Sequence, residues 1–520
     1  MSGPLRSRKP SGADLKSGDV IRLLLAVLVV AGALALALSS SADQPPASAP
    51  HAGPPHVVLL ILDEFPSDSL LGEDGRIDAV RYPNFAQLAG DSVWFRNASS
   101  SYDSTTKAVP LILDGMAPKP GTSPDRRDHP RSIFDMFERE RYRMFASEEA
   151  SALCPPSMCR GGQASVPAII PNLVAGRPER YRRWVRSIRA SRRPTFWMKH
   201  LMLPHGPYLY LPSGARARPR PRDLLPGMNT TPGFHDEFLT RHNEQRYLLQ
   251  LGFVDRLIGR LVRRLQDQGM YDETLIVVTA DHGISWESGV ETRRSVNSAN
   301  VQELAPVPFF VKRPGRPRGT LNDSYVQTLD VPSTIADVLG RPLGYRDDGR
   351  SAFSRAAARR RRVTLPLRDF AATVSISGWR WETLRRRVVR RRLRDFGSGE
   401  RASLFTGIGP NQGLVGRQVG DAPQPALVQR GLFADVRRAS GVMPTQIAGD
   451  LRGAAPGARR ELALALNGRV EAVGRSFYLL GDPTEHFAFN VPESALREGR
   501  NGIEVFEVAA GQRLRPLAGR

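Results

Sequence analysis

The apolar positions of the chain fall into runs that predict alternating strands and helices. Residues 57–62 and 275–280 form short, almost continuous apolar runs, which are typical of strands buried on both faces of a sheet. Between them, residues 248–265 place leucine, isoleucine and valine at helical spacing. Strands that alternate with helices predict an α/β fold with a mostly parallel central sheet.

The first apolar run differs from these, because it is longer and follows a basic flank. Residues 1–19 carry four lysine and arginine residues, and the unbroken apolar stretch 23–38 follows shortly after. This order predicts a basic cytoplasmic tail and a membrane helix within residues 1–42, acting as a signal anchor with the rest of the chain outside the cell. A cleaved signal peptide is the alternative. Residues 43–55 are rich in Pro, Ala and Ser and predict a linker.

Near the C-terminus the pattern changes to short alternating runs. Residues 462–473, L-A-L-A-L-N-G-R-V-E-A-V, predict a hairpin with an Asn-Gly turn, and further alternating runs follow. We therefore expect an α/β domain at 56–350, an Arg-rich connecting region at 351–434 and a small β-sandwich at 435–520.

Charge adds a candidate partner. The chain has 520 residues with a formal net charge of +22, and 41% of its residues are hydrophobic, enough for a sizeable core. Arginine clusters occur at 359–362 and 385–394. This excess of positive charge indicates either a polyanionic partner or arginine side chains that are simply exposed to solvent. Because the N-terminal pattern predicts export, nucleic acid is not expected, and anionic lipid or an envelope polymer is the predicted partner.

The chain contains two cysteines, Cys154 and Cys159. In an exported chain, a pair this close in sequence predicts a short disulfide. No zinc-type ligand set surrounds the pair.

Polar residues follow both buried runs. Asp63 and Glu64 come directly after the first run, and Asp281 and His282 follow the second. The carboxyl ends of strands in an open α/β sheet are where ligand-binding residues gather. Carboxylates and an imidazole suit a divalent metal ion. An ordinary polar strand exit is the alternative for each pair taken alone.

The segment S-T-T-K-A-V-P-L-I-L-D-G contains a candidate nucleophile, Thr105. A hydroxyl is a weak nucleophile at neutral pH, and metal coordination can activate it. Thr105 begins an apolar helix, and helix N-termini attract anions such as phosphate. Ser104 and Thr106 are the alternatives, and a simple capping role is also compatible with the pattern. Lys107, in the same turn, is a candidate contact for an anionic substrate.

Several motifs together resemble the sulfatase and alkaline phosphatase superfamily. They are the P-N-x-x-x-L-A segment within residues 82–98, H-x-x-x-P-H-x-P-Y at 200–208 and D-x-T-L-I-V-V-T-A-D-H-G at 272–283. In that superfamily the nucleophile lies ten residues before a glycine that closes the first helix. Counting back from Gly115 gives Thr105. The resemblance extends over residues 56–350.

The resemblance implies a three-layer sandwich of the alkaline phosphatase type and one divalent metal ion. Its metal ligands would be Asp63, Thr105, Asp281 and His282, with Glu64 as a further ligand. Sulfatases use a cysteine, oxidised to formylglycine, and usually an Asp-Asn pair. A threonine and an Asp-His pair instead resemble the phosphotransferases of the lipoteichoic acid synthase and phosphoethanolamine transferase type. The imidazole favours Mn²⁺ or Zn²⁺, with Mg²⁺ and Ca²⁺ as alternatives.

The same resemblance suggests which residues contact substrate. It implies that His205 binds the phosphate or protonates the leaving group, and it makes His200 a second contact. Lys312, in the run P-V-P-F-F-V-K-R-P-G, is a further candidate, as is Lys107.

The sequence thus predicts a single-pass membrane protein with an extracytoplasmic, metal-dependent hydrolase or transferase domain. Its substrates would be phosphate esters or diesters of lipids or envelope polymers. Three alternatives stay open. They are a sulfate-ester hydrolase, a non-catalytic surface-binding protein, and a two-metal enzyme with a second ligand set drawn from His200, His205 and His235.

Overall fold

The computed structural model of the protein describes most of the chain beyond residue 52. The described residues are 3, 53–159, 169–218, 236–289, 293–315, 318–405, 408–422, 425–451, 457–479 and 481–517. The predicted membrane helix lies outside them, as do most of the predicted linker and His235. Among the helices that are described, none combines the length and the hydropathy that crossing a bilayer requires. The chain divides into the units Met1–Ala52 and Gly53–Arg520, and every helix and strand below belongs to the second.

A seven-stranded sheet forms the centre of this unit. Its strand order is β3-β4-β1-β5-β6-β2-β7, and β6 alone runs antiparallel to its neighbours. The prediction of a mostly parallel sheet is therefore confirmed. The strands are β1 Val57–Asp63, β2 Val93–Phe95, β3 Arg143–Ser147, β4 Thr195–Pro204, β5 Leu275–Ala280, β6 Phe309–Lys312 and β7 Thr320–Asn322.

Several helices of the described residues pack in two groups. One group is built on α6, which contacts α1, α5 and strand β4, and the other is built on α2, which contacts α3 and α8. The three-layer arrangement stays a prediction. The α-helices are α1 Pro83–Gly90, α2 Thr105–Asp114, α3 Ile133–Arg139, α4 Ile169–Val174, α5 Arg177–Ser187, α6 Glu237–Asp267, α7 Val301–Leu304, α8 Val331–Leu339, α9 Arg355–Ala358 and α10 Gly378–Phe396.

Helix α2 has well-defined ends that fix the position of Thr105. Ser104 is extended, with φ −146° and ψ 141°, so Thr105 is the first helical residue. Gly115 ends the helix with φ 72°, and its N–H donates to the Leu111 carbonyl. A left-handed residue at this position suits glycine, which has no Cβ to clash. The predicted ten-residue spacing from Thr105 to the closing glycine therefore corresponds to one complete helix.

The C-terminal part forms two four-stranded antiparallel sheets, ordered β10-β11-β15-β14 and β13-β12-β16-β17. Phe487 of the first sheet and Leu464 of the second belong to one apolar cluster, so the two sheets share a core. The predicted hairpin is present, with Asn467 and Gly468 at φ 55° and 81°. A separate hairpin, β8-β9, precedes α10. The strands are β8 Arg362–Pro366, β9 Thr373–Ser377, β10 Ala426–Leu427, β11 Gln446–Leu451, β12 Glu461–Leu466, β13 Arg469–Arg475, β14 Phe477–Tyr478, β15 Glu485–Asn490, β16 Ile503–Ala509 and β17 Arg513–Pro516.

Two further predictions can be compared with the fold. Cys154 and Cys159 form a disulfide with their Cα atoms 6.0 Å apart, as predicted. The arginine cluster 385–394 lies on α10, where Arg385 and Arg392 are buried. Part of this cluster therefore packs inside the protein, and only its other side chains are available to an external anion.

Candidate metal centre and nucleophile

The ends of two neighbouring strands place three candidate metal ligands together. Strands β1 and β5 are parallel and in register, with Leu62 opposite Ala280. Asp63 is the last residue of β1, and the Asp281 N–H donates to the Leu62 carbonyl at 3.0 Å. The carboxyl ends of both strands therefore meet at one edge of the sheet, as the sequence predicts.

Asp63, Asp281 and His282 form a group with the geometry of a metal site. Each offers a ligand atom, these atoms lie within 4.8 Å of one another, and all three residues are fully buried. Both carboxylate oxygens of Asp63 and Oδ2 of Asp281 have no hydrogen-bond partner among the described residues. Buried, unpartnered carboxylate oxygens are costly. A divalent cation would satisfy them, so the residues present fit the implied metal.

The Thr105 hydroxyl lies beside this group. Its Oγ1 is 3.3 Å from Nε2 of His282. Nδ1 of His282 lies 2.8 Å from the Gly283 carbonyl, to which it donates, so Nε2 carries the lone pair in the neutral ring. Thr105 is buried, with a relative exposure of 8%. The structure therefore brings the predicted nucleophile to the predicted metal ligands.

The electrostatics of the group favour a cation. Burial, with repulsion from Asp281, raises the pKa of Asp63 well above its ordinary value. Burial likewise raises the pKa of Asp281 to about 7. Burial also lowers the pKa of His282, which keeps the ring neutral. The two carboxylates thus hold protons more tightly than usual, and a metal ion would replace those protons with a compensating charge.

Glu64 makes contacts that the sequence does not predict. The structure gives its backbone a φ of 55°, a left-handed conformation that is uncommon outside glycine. Its N–H donates to Asp281 Oδ1 at 3.1 Å, while Oε1 lies 3.3 Å from His205 Nε2 and 3.2 Å from Arg293 Nε. Glu64 does not belong to the group formed by Asp63, Asp281 and His282, although its Oε2 is buried without a hydrogen-bond partner among the described residues, so its role as a further ligand stays a prediction.

Two arginines near Glu64 were missed by the sequence analysis. Arg293 Nε and Arg294 Nε lie 3.2 and 3.4 Å from Glu64 Oε1, and their side chains are 25% and 36% exposed. Burial alone would raise the pKa of Glu64, but the positive charges of Arg293 and Arg294 outweigh it and hold the pKa below its ordinary value. The site therefore has a cationic rim that is anchored on a buried anion. In so arginine-rich a chain, no sequence signal distinguishes this pair.

His205 lies between Glu64 and the loop backbone. Its Nδ1 is 2.6 Å from the Gly206 carbonyl, and its Nε2 faces Glu64. Both contacts are hydrogen bonds only when the ring is protonated, whereas burial lowers the pKa of His205 to about 3 despite the carboxylate. We assign the neutral ring at neutral pH, because burial dominates. Nδ1 then donates to Gly206, and Nε2 is available as a proton acceptor.

His200 also lies next to the metal-ligand group. It is in strand β4 and pairs across the sheet with Ile61. Its Nε2 is 3.6 Å from Asp63 Oδ2, and neither ring nitrogen has a hydrogen-bond partner in the described part of the chain. Burial lowers the pKa of His200 to about 3. His200 therefore contributes a neutral, buried imidazole next to Asp63.

The two predicted lysines lie elsewhere. Lys312 is buried and donates to the carbonyls of Tyr271, Asp272 and Thr274, because β6 is antiparallel to β5 and pairs Lys312 with Ile276 at the far end of that strand. This placement contradicts the prediction that Lys312 binds substrate at the site.

Lys107 stays at the start of α2, but its side chain turns away. Its Nζ donates to the carbonyl and the hydroxyl of Thr122 at 2.5 and 2.6 Å. Burial lowers the pKa of Lys107. A substrate contact by Lys107 stays a prediction.

Comparisons with known proteins cover part of the chain. The sulfatase family model matches residues 179–341, a segment that includes Asp281 and His282. The chain is 31% identical over 94 residues to N-sulphoglucosamine sulphohydrolase from Homo sapiens, which covers 18% of this chain and 17% of that protein. It is 27% identical over 99 residues to lipoteichoic acid synthase from Staphylococcus saprophyticus, covering 18% and 15%. The matches thus span about a sixth of each relative's length.

Solved structures resemble the chain more broadly and more weakly. The phosphonate monoester hydrolase from Silicibacter pomeroyi aligns with a TM-score of 0.45 and 18% identity, covering 67% of this chain and 97% of that one. The sequence matches are what carry the relationship. Residues 179–341 match the sulfatase family model, and parts of the chain are similar to members of the sulfatase and alkaline phosphatase superfamily.

Proposed function

We propose that the protein is a metal-dependent hydrolase or transferase that acts on phosphate esters or diesters through Thr105. The observation that carries this proposal is the position of the Thr105 hydroxyl, 3.3 Å from His282 and beside buried carboxylate oxygens without partners. A divalent cation held by Asp63, Asp281, His282 and Thr105 would supply the Lewis acidity that lowers the pKa of a hydroxyl. The mixed oxygen and nitrogen donors favour Mn²⁺ or Zn²⁺, with Mg²⁺ and Ca²⁺ as alternatives.

In the first step, Thr105 Oγ1 attacks phosphorus. The hydroxyl proton is released to water, the Oγ1–P bond forms, and the bond from phosphorus to the leaving oxygen breaks. The leaving oxygen takes up a proton from water. The product is a phosphothreonine on the protein and a released alcohol.

In the second step, water or an acceptor hydroxyl attacks the phosphothreonine. His205 Nε2 is the candidate base that accepts the proton of the attacking group. The Oγ1–P bond breaks, Thr105 Oγ1 takes up a proton from water, and His205 releases its proton to water. Water as the acceptor gives hydrolysis, whereas a hydroxyl of a lipid or polymer gives transfer.

Arg293 and Arg294 are the candidate contacts for the anionic oxygens of the substrate. Both are anchored on Glu64 and partly exposed, so they offer guanidinium N–H groups at the rim without leaving the site. Electrostatic stabilisation of this kind is a large contribution to phosphoryl transfer. His200 is a candidate second imidazole contact.

The predicted location and partners complete the proposal. The apolar run 23–38 supports a single-pass, membrane-anchored protein. The disulfide Cys154–Cys159 supports a catalytic unit outside the cytoplasm. The net charge of +22 supports an anionic lipid or envelope polymer as substrate. The match to a lipoteichoic acid synthase supports the same class.

Sulfate-ester hydrolysis is the second candidate, because the chain also matches N-sulphoglucosamine sulphohydrolase. A purely binding function is less well supported, since a surface that only binds has no need of buried carboxylates without partners.

One experiment separates these functions. The purified full chain is loaded with Mn²⁺ or Zn²⁺ and incubated with matched phosphate and sulfate esters and with a phosphatidylglycerol phosphodiester. Product release and the intact mass are followed. Turnover of the phosphorus substrates with a phosphoryl adduct on Thr105 supports the proposal, and turnover of the sulfate ester alone contradicts it. Thr106→Ala serves as the matched control for Thr105→Ala.

A further inference from the structure

Helix α10 has two faces that use arginine differently. On the inner face, Arg385 Nε lies 3.2 Å from Asp68, Arg391 Nη2 lies 2.7 Å from Glu303, and Arg392 donates to the Ser69 carbonyl. Arg385 and Arg392 thus fasten the helix to the turn that follows the metal-site carboxylates, and Arg391 fastens it to α7. The inner face is therefore structural.

The outer face carries arginines that nothing in the described part of the chain neutralises. Arg380, Arg386, Arg387 and Arg390 are exposed and make no ion pair with a carboxylate of the described residues. At about 100° per residue, these four side chains fall within one stripe about 120° wide. The helix thus presents a continuous cationic stripe to solvent.

A second arginine cluster extends this stripe. Arg359, Arg361 and Arg362 are exposed, and the Arg361 carbonyl accepts the N–H of Gly378, the first residue of α10. Their side chains also lack a carboxylate partner among the described residues, since Arg361 bonds carbonyl groups and Arg362 bonds Ser375. The two clusters that are separate in sequence thus join at the start of the helix. We call the surface of these seven arginines the basic face.

The basic face also exposes an indole. Trp379 follows Gly378 and is 74% exposed, on the same side of α10 as the arginines. Tryptophan has an apolar ring with a polar N–H and is favoured at the level of lipid head groups. The like charges of Arg386 and Arg390, four residues apart, destabilise an isolated helix. The stripe is therefore not built for helix stability, and an anionic partner would relieve the repulsion.

A groove beside the stripe suits a head group. It has a volume of ≈ 1090 Å³ and is lined on one side by Leu71, Gly72 and Glu73 and on the other by Arg386 and Arg390, with Glu287 also in the lining. Its walls thus combine apolar and cationic groups with two carboxylates, and the arginines outnumber the carboxylates.

We propose that the basic face docks on an anionic lipid bilayer. Arginines near a charged membrane attract it, and a tryptophan among them matches the polar–apolar boundary of a bilayer. A soluble polyanion would have no use for the exposed indole, so the bilayer is the occupant that the surface fits. This inference rests on the proposed function only for the source of the lipid, because docking requires no turnover.

The test uses the full chain in lipid nanodiscs, with a polarity-sensitive fluorophore attached at Thr383→Cys. Thr383 is exposed on the same stripe. We expect the emission to shift to the blue in nanodiscs of phosphatidylcholine mixed with phosphatidylglycerol, and not in phosphatidylcholine alone. High salt should reverse the shift. An equal shift in both lipids would overturn the proposal.

A pair of variants with equal charge change separates docking from general attraction. Changing Arg380, Arg386, Arg387 and Arg390 together to Gln should weaken docking roughly fivefold per arginine removed. Changing the exposed Arg183, Arg186, Arg189 and Arg192 to Gln should leave docking intact. Equal losses in the two variants would contradict the basic face.

Two further controls complete the test. Soluble polyphosphate that produces the same blue shift without lipid would identify a polymer site instead and overturn the bilayer proposal. Unchanged metal content in both quadruple variants shows that each is folded. Thr105→Ala should dock like the unmodified protein, so a failure of the proposed catalysis leaves the docking result interpretable.

Discussion

The hydroxyl oxygen of Thr105 lies 3.3 Å from Nε2 of His282, although 177 positions separate the two residues. One is the first residue of α2 and the other follows strand β5. This proximity brings the start of a helix and the end of a strand together. Each is unremarkable alone, and together they form a candidate catalytic site.

Thr105→Ala should lower kcat for phosphate esters by a factor on the order of 10³ or more, because it removes the attacking oxygen. Thr105→Ser keeps an oxygen at the same place and should retain a measurable rate. Steady-state kinetics and metal analysis of both variants provide the measurement. Full activity of Thr105→Ala would move the nucleophile to Ser104 or Thr106.

Asp281→Asn should weaken metal binding at least about tenfold, since a neutral amide replaces a buried anionic ligand. The metal-free variant should be no less stable than the metal-free parent, because the change removes a charge that repels Asp63. Isothermal titration and thermal unfolding check the two halves of this prediction. Asp267→Asn, an exposed position at the end of α6, is the control. Equal metal affinity in the two variants would contradict the ligand assignment.

Glu64→Gln should raise KM for an anionic ester by about tenfold with less effect on kcat. The neutral amide holds Arg293 and His205 less firmly, whereas the metal ligands are untouched. Metal content should stay at the parental level, in contrast to Asp63→Asn. Loss of the metal from Glu64→Gln would identify Glu64 as a ligand.

The stability of the metal-free protein should fall as pH rises from about 4 to 7. The pKa of Asp281 is raised to about 7 in the folded protein, so the folded state binds more protons than the unfolded state across this range. Each unit of pKa shift corresponds to about 1.4 kcal/mol in the free energy of unfolding. A bound cation removes this cost, so Mn²⁺ should raise Tm more at pH 8 than at pH 5. Scans with Mn²⁺ and with a chelator provide the test, and equal gains at both pH values would count against the site.

The sequence predicted those parts of the site that follow directly from a strand or helix end. The apolar runs located β1 and β5, and so Asp63, Asp281 and His282, whereas the glycine after α2 located Thr105. The contacts of Glu64 could not be predicted, because the direction of its side chain depends on a left-handed backbone and on arginines that lie 229 and 230 positions further along the chain. Lys312 was assigned wrongly because the apolar pattern of β6 does not reveal that this strand runs in the opposite direction.

The arginines of α10 illustrate the same limit. The composition shows that this segment is basic. It is the geometry of the helix that decides which arginines face inward and pair and which face outward to solvent. Each group then has a different use, one in packing and the other in the proposed docking.

Arg385 joins two stretches of backbone that both lead to the metal site. Its guanidinium bonds Asp68, five residues beyond Asp63, and also Asn97, eight residues before Thr105. One side chain of α10 thus braces both the segment that leaves the first ligand and the segment that leads to the nucleophile. Removing this one guanidinium would therefore release both segments together, the one behind the carboxylate and the one before the hydroxyl.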